Sequence, residues 1–283
     1  MKIGNLGGRL VIVTTGGAVD VERASGGRFT AEPQAVYKRW TAFRQWATSA
    51  DLSAAKPFDP ARLRPPAPRP PQIFAIGLNY RQHAIESGLD LPSDPLVFTK
   101  FASCLTGAHD SIPVPAIGTA DWEIELAVVI GVCARDVSAD HAWEHVAGVA
   151  VGQDISERSI QLRGPAPQFS IGKSLSGFGP IGPWLVTPDE LLDPDDLLMT
   201  CILDGEEVQK ASTRDMIFPV PELIARLSAM LPLLPGDLLF TGTPAGIGSG
   251  MNPPRFLTPG QTLTSRIEGI GELRNPIVAA DPA

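Results

Sequence analysis

The sequence predicts a β-rich α+β fold, a mixed β-sandwich or roll with a small β/α domain at the N-terminus. Short apolar runs separated by turn residues recur along the chain and predict strands. Few segments carry apolar residues at helical spacing, and strands outnumber any regular strand–helix alternation, which argues against a doubly wound sheet. With 283 residues, 43% of them hydrophobic and 19% charged, the chain can bury a sizeable core and lacks the composition of disorder.

The N-terminal part predicts a small separate domain. Apolar bursts broken by glycines predict short strands over residues 2–21, and apolar residues at three- and four-residue spacing predict one helix over 33–47. Residues 56–71 are too rich in proline for a helix or a central strand. We therefore expect an N-terminal domain over 1–65, a linker to about residue 71, and a main domain over 72–283.

The main domain is expected to consist mostly of strands. Two helices are predicted, one over 141–145 with short extensions and one over 221–231, where apolar residues form a stripe. Apolar runs bounded by turn residues predict strands over 73–76, 95–98, 124–132, 149–151, 198–203, 237–241 and 263–267.

Charge and cysteine content exclude several classes of protein. A net charge of −8 and a pI near 5.0 oppose binding to nucleic acid or to an anionic membrane surface. No apolar run approaches a membrane span, and the N-terminus has no export signal. Three widely spaced cysteines argue against a disulfide framework, so we expect buried thiols in a reducing cytoplasm.

An alternating acidic motif is the first candidate site. In Asp121-Trp122-Glu123-Ile124-Glu125 the glutamates lie two apart, so on a strand both point to one face and repel unless a cation lies between them. Asp154, after the next predicted strand, supplies a third carboxylate. Three carboxylates suit Mg²⁺, with Mn²⁺ or Ca²⁺ as alternatives. The competing interpretation is a solvated edge strand with Asp154 capping a turn.

A histidine–glutamate pair is the second candidate. If the segment after strand 73–76 is helical, His83 and Glu86 lie three apart on one face, where a carboxylate can orient an imidazole as a general base. A surface helix with an incidental His–Glu contact is the alternative. We expect residues 78–94 to form a mobile lid that carries this pair. The glycine-rich run 241–248 lacks the ending of a phosphate loop and predicts a turn of close backbone approach.

Eight segments resemble the fumarylacetoacetate hydrolase family, in the family's order, from about residue 73 to 277. They are GLNYRQHAIE, PLVFTKFASCLTG, DWEIELAVVIG, GQDISERSIQ, QFSIGKS, GPIGPWLV, PGDLLFTGTPAGIG and IEGIGELRNPI. The resemblance implies a mixed β-sandwich roll that forms a homodimer. It assigns Glu123, Glu125 and Asp154 to the metal. It assigns catalysis and substrate binding to further residues, namely His83, Glu86 and Lys173 for catalysis and Tyr80, Lys100, Arg158, Gln161 and Thr243 for substrate.

Two departures from the family pattern bear on the substrate. Gln153 stands where many members have Asn, and Leu175-Ser176-Gly177 follows Lys173-Ser174 where many members continue K-S-x-D-T. The resemblance implies a small 2-oxo acid substrate. The expected reaction is cleavage of a carbon–carbon bond in a 2,4-dioxo acid such as an acylpyruvate or fumarylpyruvate. The alternatives are a 2-hydroxyhepta-2,4-diene-1,7-dioate isomerase, an oxaloacetate decarboxylase or tautomerase, and a non-catalytic, metal-stabilised binding protein.

Overall fold

The strands of the computed structural model, which describes residues 1–115 and 118–280, form a larger sheet, a smaller sheet and one short strand pair. The strands are β1 (Lys2–Leu6), β2 (Arg9–Thr14), β3 (Gly17–Asp20), β4 (Leu63–Arg64), β5 (Ile73–Gly77), β6 (Leu96–Phe98), β7 (Leu105–Thr106), β8 (Ile112–Val114), β9 (Ala120–Asp121), β10 (Ile124–Ile130), β11 (Val146–Gln153), β12 (Ser156–Glu157), β13 (Gly179–Val186), β14 (Leu198–Leu203), β15 (Glu206–Ser212), β16 (Leu238–Phe240), β17 (Thr262–Ile267) and β18 (Gly271–Ala279).

Helices are short and few beside these strands. The α-helices are α1 (Val21–Ala24), α2 (Trp40–Ala47), α3 (Arg81–Glu86), α4 (Arg158–Gln161), α5 (Phe169–Gly172) and α6 (Val220–Met230). The 3-10 helices are Pro33–Arg39, Pro60–Arg62, Ala102–Cys104, Ala139–His145, Pro188–Glu190, Thr213–Asp215 and Gly248–Gly250. The predicted β-rich α+β class is confirmed.

The larger sheet is mixed and has the strand order β3-β2-β1-β13-β11-β10-β16-β5-β6, with β4 beside β1 and β7 beside β13. Strand β10 pairs antiparallel with both β11 and β16, whereas β16 runs parallel to β5. The smaller sheet has the order β15-β14-β17-β18-β8. Strand β10 therefore lies in the middle of the larger sheet, flanked by the strands that precede Asp154 and the glycine-rich loop.

Both faces of β10 are buried, which explains its nearly continuous apolar sequence. Leu126, Val128 and Ile130 enter a core shared with the smaller sheet and α6. Ala127 and Val129 enter a second core on the opposite face. Since successive side chains on a strand point to opposite faces, a central strand covered on both sides needs apolar residues at every position.

The second core contains residues from both sides of the proline-rich segment. Ile3, Val36 and Phe43 pack there with Ala127 and Phe240, and β1 pairs antiparallel with β13. The N-terminal strands thus extend the larger sheet. The division into domains at residues 65–71 stays a prediction.

Local departures from the expected elements have clear causes. The helix predicted over 33–47 is a 3-10 helix followed by α2, and the one predicted at 141–145 is a 3-10 helix. Strand β13 was not predicted, because Pro180 and Pro183 argue against a central strand. Cys104 and Cys201 are buried thiols, but Cys133 is exposed, so the expectation that all three are buried was wrong.

Within the described part of the chain, no helix combines the length and apolar character that crossing a bilayer requires.

Candidate metal centre and active site

The register of two central strands brings the acidic side chains together. Strands β10 and β11 pair antiparallel with Ile124 opposite Gln153, so Glu123 and Asp154 meet just beyond the paired ends, and the Asp154 N–H donates to the Glu123 carbonyl at 2.9 Å. Oxygen atoms of Glu123, Glu125 and Asp154 all lie within 4.8 Å of one another. All three residues are buried, so the competing interpretation of a solvated edge strand was wrong.

Three buried cations surround these acids. Lys173 Nζ donates to Glu123 Oε2 and to Asp154 Oδ2, each at 2.7 Å. Lys100 Nζ donates to Asp154 Oδ1 at 2.6 Å, and Arg158 contacts Glu123 Oε1 at 2.7 Å. Burial alone would raise the pKa of Glu123, but the charges of Lys173 and Arg158 hold it below its ordinary value.

Glu125 is left without a cationic partner among the residues described. Its Oε2 accepts a hydrogen bond from the Gly242 N–H at 2.8 Å. Burial, Asp154 and Glu123 raise the pKa of Glu125 well above its ordinary value. A buried carboxylate beside two others is costly unless a positive charge balances it. These three residues therefore fit a hard divalent cation bound through oxygen.

His83 and Glu86 form the predicted pair. They lie on α3, with His83 Nδ1 3.3 Å from Glu86 Oε2. The second carboxylate oxygen of Glu86 accepts from the Gly246 N–H at 2.9 Å. Both side chains are largely shielded from solvent. The pair is therefore hydrogen-bonded to the glycine-rich loop, unlike an incidental contact on a surface helix. The mobility of residues 78–94 stays a prediction.

The glycine-rich loop after β16 binds acidic side chains through its backbone. The N–H groups of Gly242, Gly246 and Gly248 donate to Glu125, Glu86 and Asp121. At Gly246, where φ is +100°, a Cβ atom would overlap the backbone carbonyl of Val208. The predicted close backbone approach thus occurs, and it orients carboxylates of both candidate clusters.

One cavity of about 360 Å³ is lined by one member of each cluster, Glu123 and His83. Its polar wall contains most of the residues that the sequence assigned to catalysis and substrate binding, namely His83, Arg158, Gln161, Lys173 and Thr243, together with Glu123 of the proposed metal ligands. Lys173 uses two of its three donors on carboxylates, which leaves one for a ligand. Burial alone would lower the pKa of Lys173, but Asp154 and Glu123 raise it, so its side chain is an ammonium ion.

Two assigned substrate-binding residues are not among those that line this cavity. Lys100 lies behind the acids and uses its three donors on Asp154 and on the carbonyl oxygens of Lys173 and Phe178. Tyr80 is buried and borders a different cavity, beside Arg81. The geometry assigns Lys100 to support of Asp154 and gives Tyr80 no contact with the main cavity.

Asp121 is a site residue that sequence reasoning did not single out. It accepts from Arg158 Nε at 2.9 Å and from Arg158 Nη2 at 2.8 Å, and from the N–H groups of Gly248 and Ser249. Its position two residues before Glu123 in the alternating motif was an available signal, because i and i+2 share a strand face. Asp121 holds Arg158 against the acidic cluster.

The apolar wall of the cavity was also missed. Its side chains come from segments far apart in the sequence, namely Ile76, Leu78, Leu89, Leu96, Phe98, Leu162, Phe169 and Ile247. Phe98 and Phe169 pack edge to face with ring centroids 5.7 Å apart. Nothing local in the sequence marks these residues as neighbours.

Comparison with known proteins places these features in a family. The family model described as "Fumarylacetoacetate (FAA) hydrolase C-terminal" matches residues 72–278, which include every residue discussed at the site. The resemblance predicted from the eight sequence segments is therefore confirmed.

Solved structures of similar chains include both hydrolases and isomerases. A structure described as "a putative HpcE protein" from Mycobacterium smegmatis has a TM-score of 0.95 and 52% identity, covering 99% of this chain and 100% of that one. A "probable 2-hydroxyhepta-2,4-diene-1,7-dioate isomerase" from Mycobacterium abscessus has a TM-score of 0.80 and 27% identity, covering 99% of each chain. A maleylpyruvate hydrolase from Sphingobium sp. SYK-6, in complex with manganese(II) and pyruvate, has a TM-score of 0.78 and 27% identity, covering 99% of this chain and 100% of that one.

Proposed function

The chain belongs to the fumarylacetoacetate hydrolase family, and we propose that it is a divalent-metal-dependent hydrolase that cleaves the bond between carbons 3 and 4 of a 2,4-dioxo acid. One observation carries the proposal. His83, held by Glu86, lines the same cavity as Glu123 of the acidic cluster and Lys173. A candidate general base and a candidate cation site thus face one space of a size suited to a small molecule.

Glu123, Glu125 and Asp154 would hold the cation, Mg²⁺ or Mn²⁺, as the proposed ligands. Bound there, it would act as a Lewis acid on the 2-oxo acid end of the substrate. The manganese in the maleylpyruvate hydrolase structure supports a divalent cation, and the acidic cluster supplies the residues proposed to bind it. Lys100 would keep Asp154 in place, since its ammonium group contacts that carboxylate inside the protein.

His83 is the proposed base that activates water. Its Nδ1 faces Glu86, so Nε2 is the nitrogen that can take a proton. Glu86 would stabilise the imidazolium ion that results, and the Gly246 N–H keeps Glu86 in position. Attack of the resulting hydroxide on carbon 4 breaks the bond to carbon 3, and a proton delivered to carbon 3 gives pyruvate and a carboxylic acid.

Arg158, Gln161, Lys173 and Thr243 are the proposed groups that orient the substrate. Arg158 Nη1 donates to Gln161 Oε1 at 2.9 Å, which directs the amide of Gln161. The free donor of Lys173 would bind an oxygen on which negative charge develops. Gln209 Nε2 donates to the Thr243 hydroxyl at 2.9 Å and fixes its orientation.

An isomerase acting on a 2-hydroxy-dienedioate is the second candidate, supported by the isomerase named among the similar structures. Isomerisation, like decarboxylation or tautomerisation of oxaloacetate, needs no attacking water. A non-catalytic binding protein is the candidate from another class. In that case no substrate would turn over, although the metal would still bind.

A substrate panel distinguishes these functions. Acetylpyruvate, oxaloacetate and 2-hydroxyhepta-2,4-diene-1,7-dioate would each be assayed with Mg²⁺, with Mn²⁺ and with a chelator. We expect metal-dependent release of pyruvate from acetylpyruvate that the chelator abolishes. Turnover of the dienedioate or of oxaloacetate with no cleavage of acetylpyruvate would contradict the proposed hydrolysis.

A further inference from the structure

The apolar wall of the main cavity has no counterpart in the chemistry assigned so far. The 2-oxo acid end of a substrate uses the polar wall, where Arg158 and Lys173 lie. The rest of the cavity is lined by apolar side chains, which come from β5, β6, α5 and several loops. These are Ile76, Leu78, Leu89, Leu96, Phe98, Leu162, Phe169 and Ile247. The part of the substrate beyond carbon 4 must fit against these groups.

A second carboxylate on the substrate would have no unpaired cationic side chain to bind among the described residues that line this cavity. Among the described residues that line it, the permanently charged cations are Arg158 and Lys173. Arg158 is paired with Asp121 and Glu123, and Lys173 with Glu123 and Asp154. The cavity also offers the hydroxyl groups of serine residues, which carry no charge. An anion brought among apolar side chains without a counter-charge is strongly disfavoured.

Several of the apolar side chains are exposed to solvent as they stand. Leu89 is 55% exposed, Leu96 is 46% and Leu162 is 59%. Exposed apolar groups around a cleft are typical of binding surfaces. These three line the same cavity as His83, so a substrate bound there would place its tail against them.

We infer that the substrate is a monocarboxylic 2,4-dioxo acid whose group beyond carbon 4 is uncharged and apolar, an alkyl or aryl acylpyruvate. The inference rests on the proposed hydrolysis and makes it more specific. It separates this chain from enzymes of 2-hydroxyhepta-2,4-diene-1,7-dioate and of fumarylpyruvate, because those compounds carry a carboxylate at both ends. Leu162 and Phe169 are the residues that select the tail.

Two acylpyruvates of the same shape test the inference. Succinylpyruvate ends in a carboxylate, and 4-methylpentanoylpyruvate ends in an isopropyl group of nearly the same size. We expect kcat/KM to be at least about 100-fold higher for the isopropyl compound, because the carboxylate must be desolvated without a partner. Along the series from acetylpyruvate to pentanoylpyruvate, kcat/KM should rise by roughly three- to fourfold for each methylene.

A substitution in the apolar wall should change which substrate tail the protein prefers. Leu162→Arg adds a cation at a side chain that is 59% exposed, so folding should tolerate it. We expect the preference for the isopropyl compound to fall by at least about tenfold, since one charge-assisted hydrogen bond is worth that much. Leu162→Gln is the matched control, because it removes the apolar group without adding charge, and should not raise kcat/KM for succinylpyruvate.

The outcomes separate the inference from the function on which it rests. If the parent protein cleaves succinylpyruvate as fast as the isopropyl compound, or faster, the inference of an apolar tail is overturned and the proposed hydrolysis still stands. Cleavage of neither compound would overturn the hydrolysis. In that event, calorimetric titration of the Mn²⁺-loaded protein with each compound still tests whether the site prefers an apolar tail. Tighter binding of succinylpyruvate would refute the inference. Tighter binding of the isopropyl compound would support it.

Discussion

Gly246→Ala is expected to weaken both the fold and the active site, because one backbone position serves both. Gly246 has a φ of +100°, and an added Cβ would overlap the carbonyl oxygen of Val208 in β15. The same residue donates its N–H to Glu86 at 2.9 Å. Any shift that relieves the overlap therefore moves the carboxylate that orients His83.

The magnitude follows from two separate costs. A side chain in the left-handed region costs roughly 1–2 kcal/mol. Overlap with a fixed backbone atom costs roughly 1–3 kcal/mol more, since a strand cannot rotate away as a side chain does. Gly260 is the matched control, because its φ is +97° and nothing lies within 4 Å of an added Cβ. Gly260→Ala should carry the first cost alone.

Thermal unfolding and steady-state kinetics measure the two effects. Each kcal/mol lowers Tm by roughly 2–4 °C in a protein of this size. We expect Gly260→Ala to lose about 2–8 °C with parental kcat, and Gly246→Ala to lose several degrees more. Displacement of the catalytic pair by about 1 Å should lower kcat by roughly 10²-fold. Equal Tm values for the two variants, or parental kcat in Gly246→Ala, would refute the reasoning.

Other substitutions test the remaining assignments. Glu125→Ala should weaken Mg²⁺ or Mn²⁺ binding by at least about 100-fold in calorimetric titration, and unchanged affinity would remove Glu125 from the ligand set. His83→Ala should still bind the metal but lose hydrolytic turnover by roughly 10²–10⁴-fold. Oxaloacetate decarboxylation or tautomerisation should fall less. Equal loss of every activity would show that His83 is not the base that activates water. Lys100→Met should lower the free energy of unfolding by about 3–5 kcal/mol in chemical denaturation, because Asp154 loses one of its two buried ammonium partners and the Phe178 carbonyl loses its donor. Parental stability would contradict that role. We also propose a homodimer, which light scattering in dilute buffer should show as twice the mass of 30.0 kDa; a monomer at all concentrations would be the contrary result.

Much of the fold followed from local patterns in the sequence. The alternation and the apolar run around Glu123 predicted β10, because a strand buried on both faces needs apolar residues at successive positions. The stripe that predicted a helix over 221–231 corresponds to α6. Strand β13 could not be predicted in this way, since Pro183 lies where the register between β13 and β11 shifts, an irregularity that only the assembled sheet shows.

The sequence by itself determined which acids and which His–Glu pair could meet, because a two-residue strand period and one helical turn are local geometry. Glu123 and Glu125 share a strand face, and His83 and Glu86 share a helix face. Only the tertiary structure decided what surrounds them. Lys100 is directed away from the cavity, Asp121 is tied to Arg158, and side chains separated by many residues, such as Phe98 and Phe169, form one apolar wall. Such neighbours are specified by long-range packing between sheets and loops, which leaves no periodic trace in the sequence.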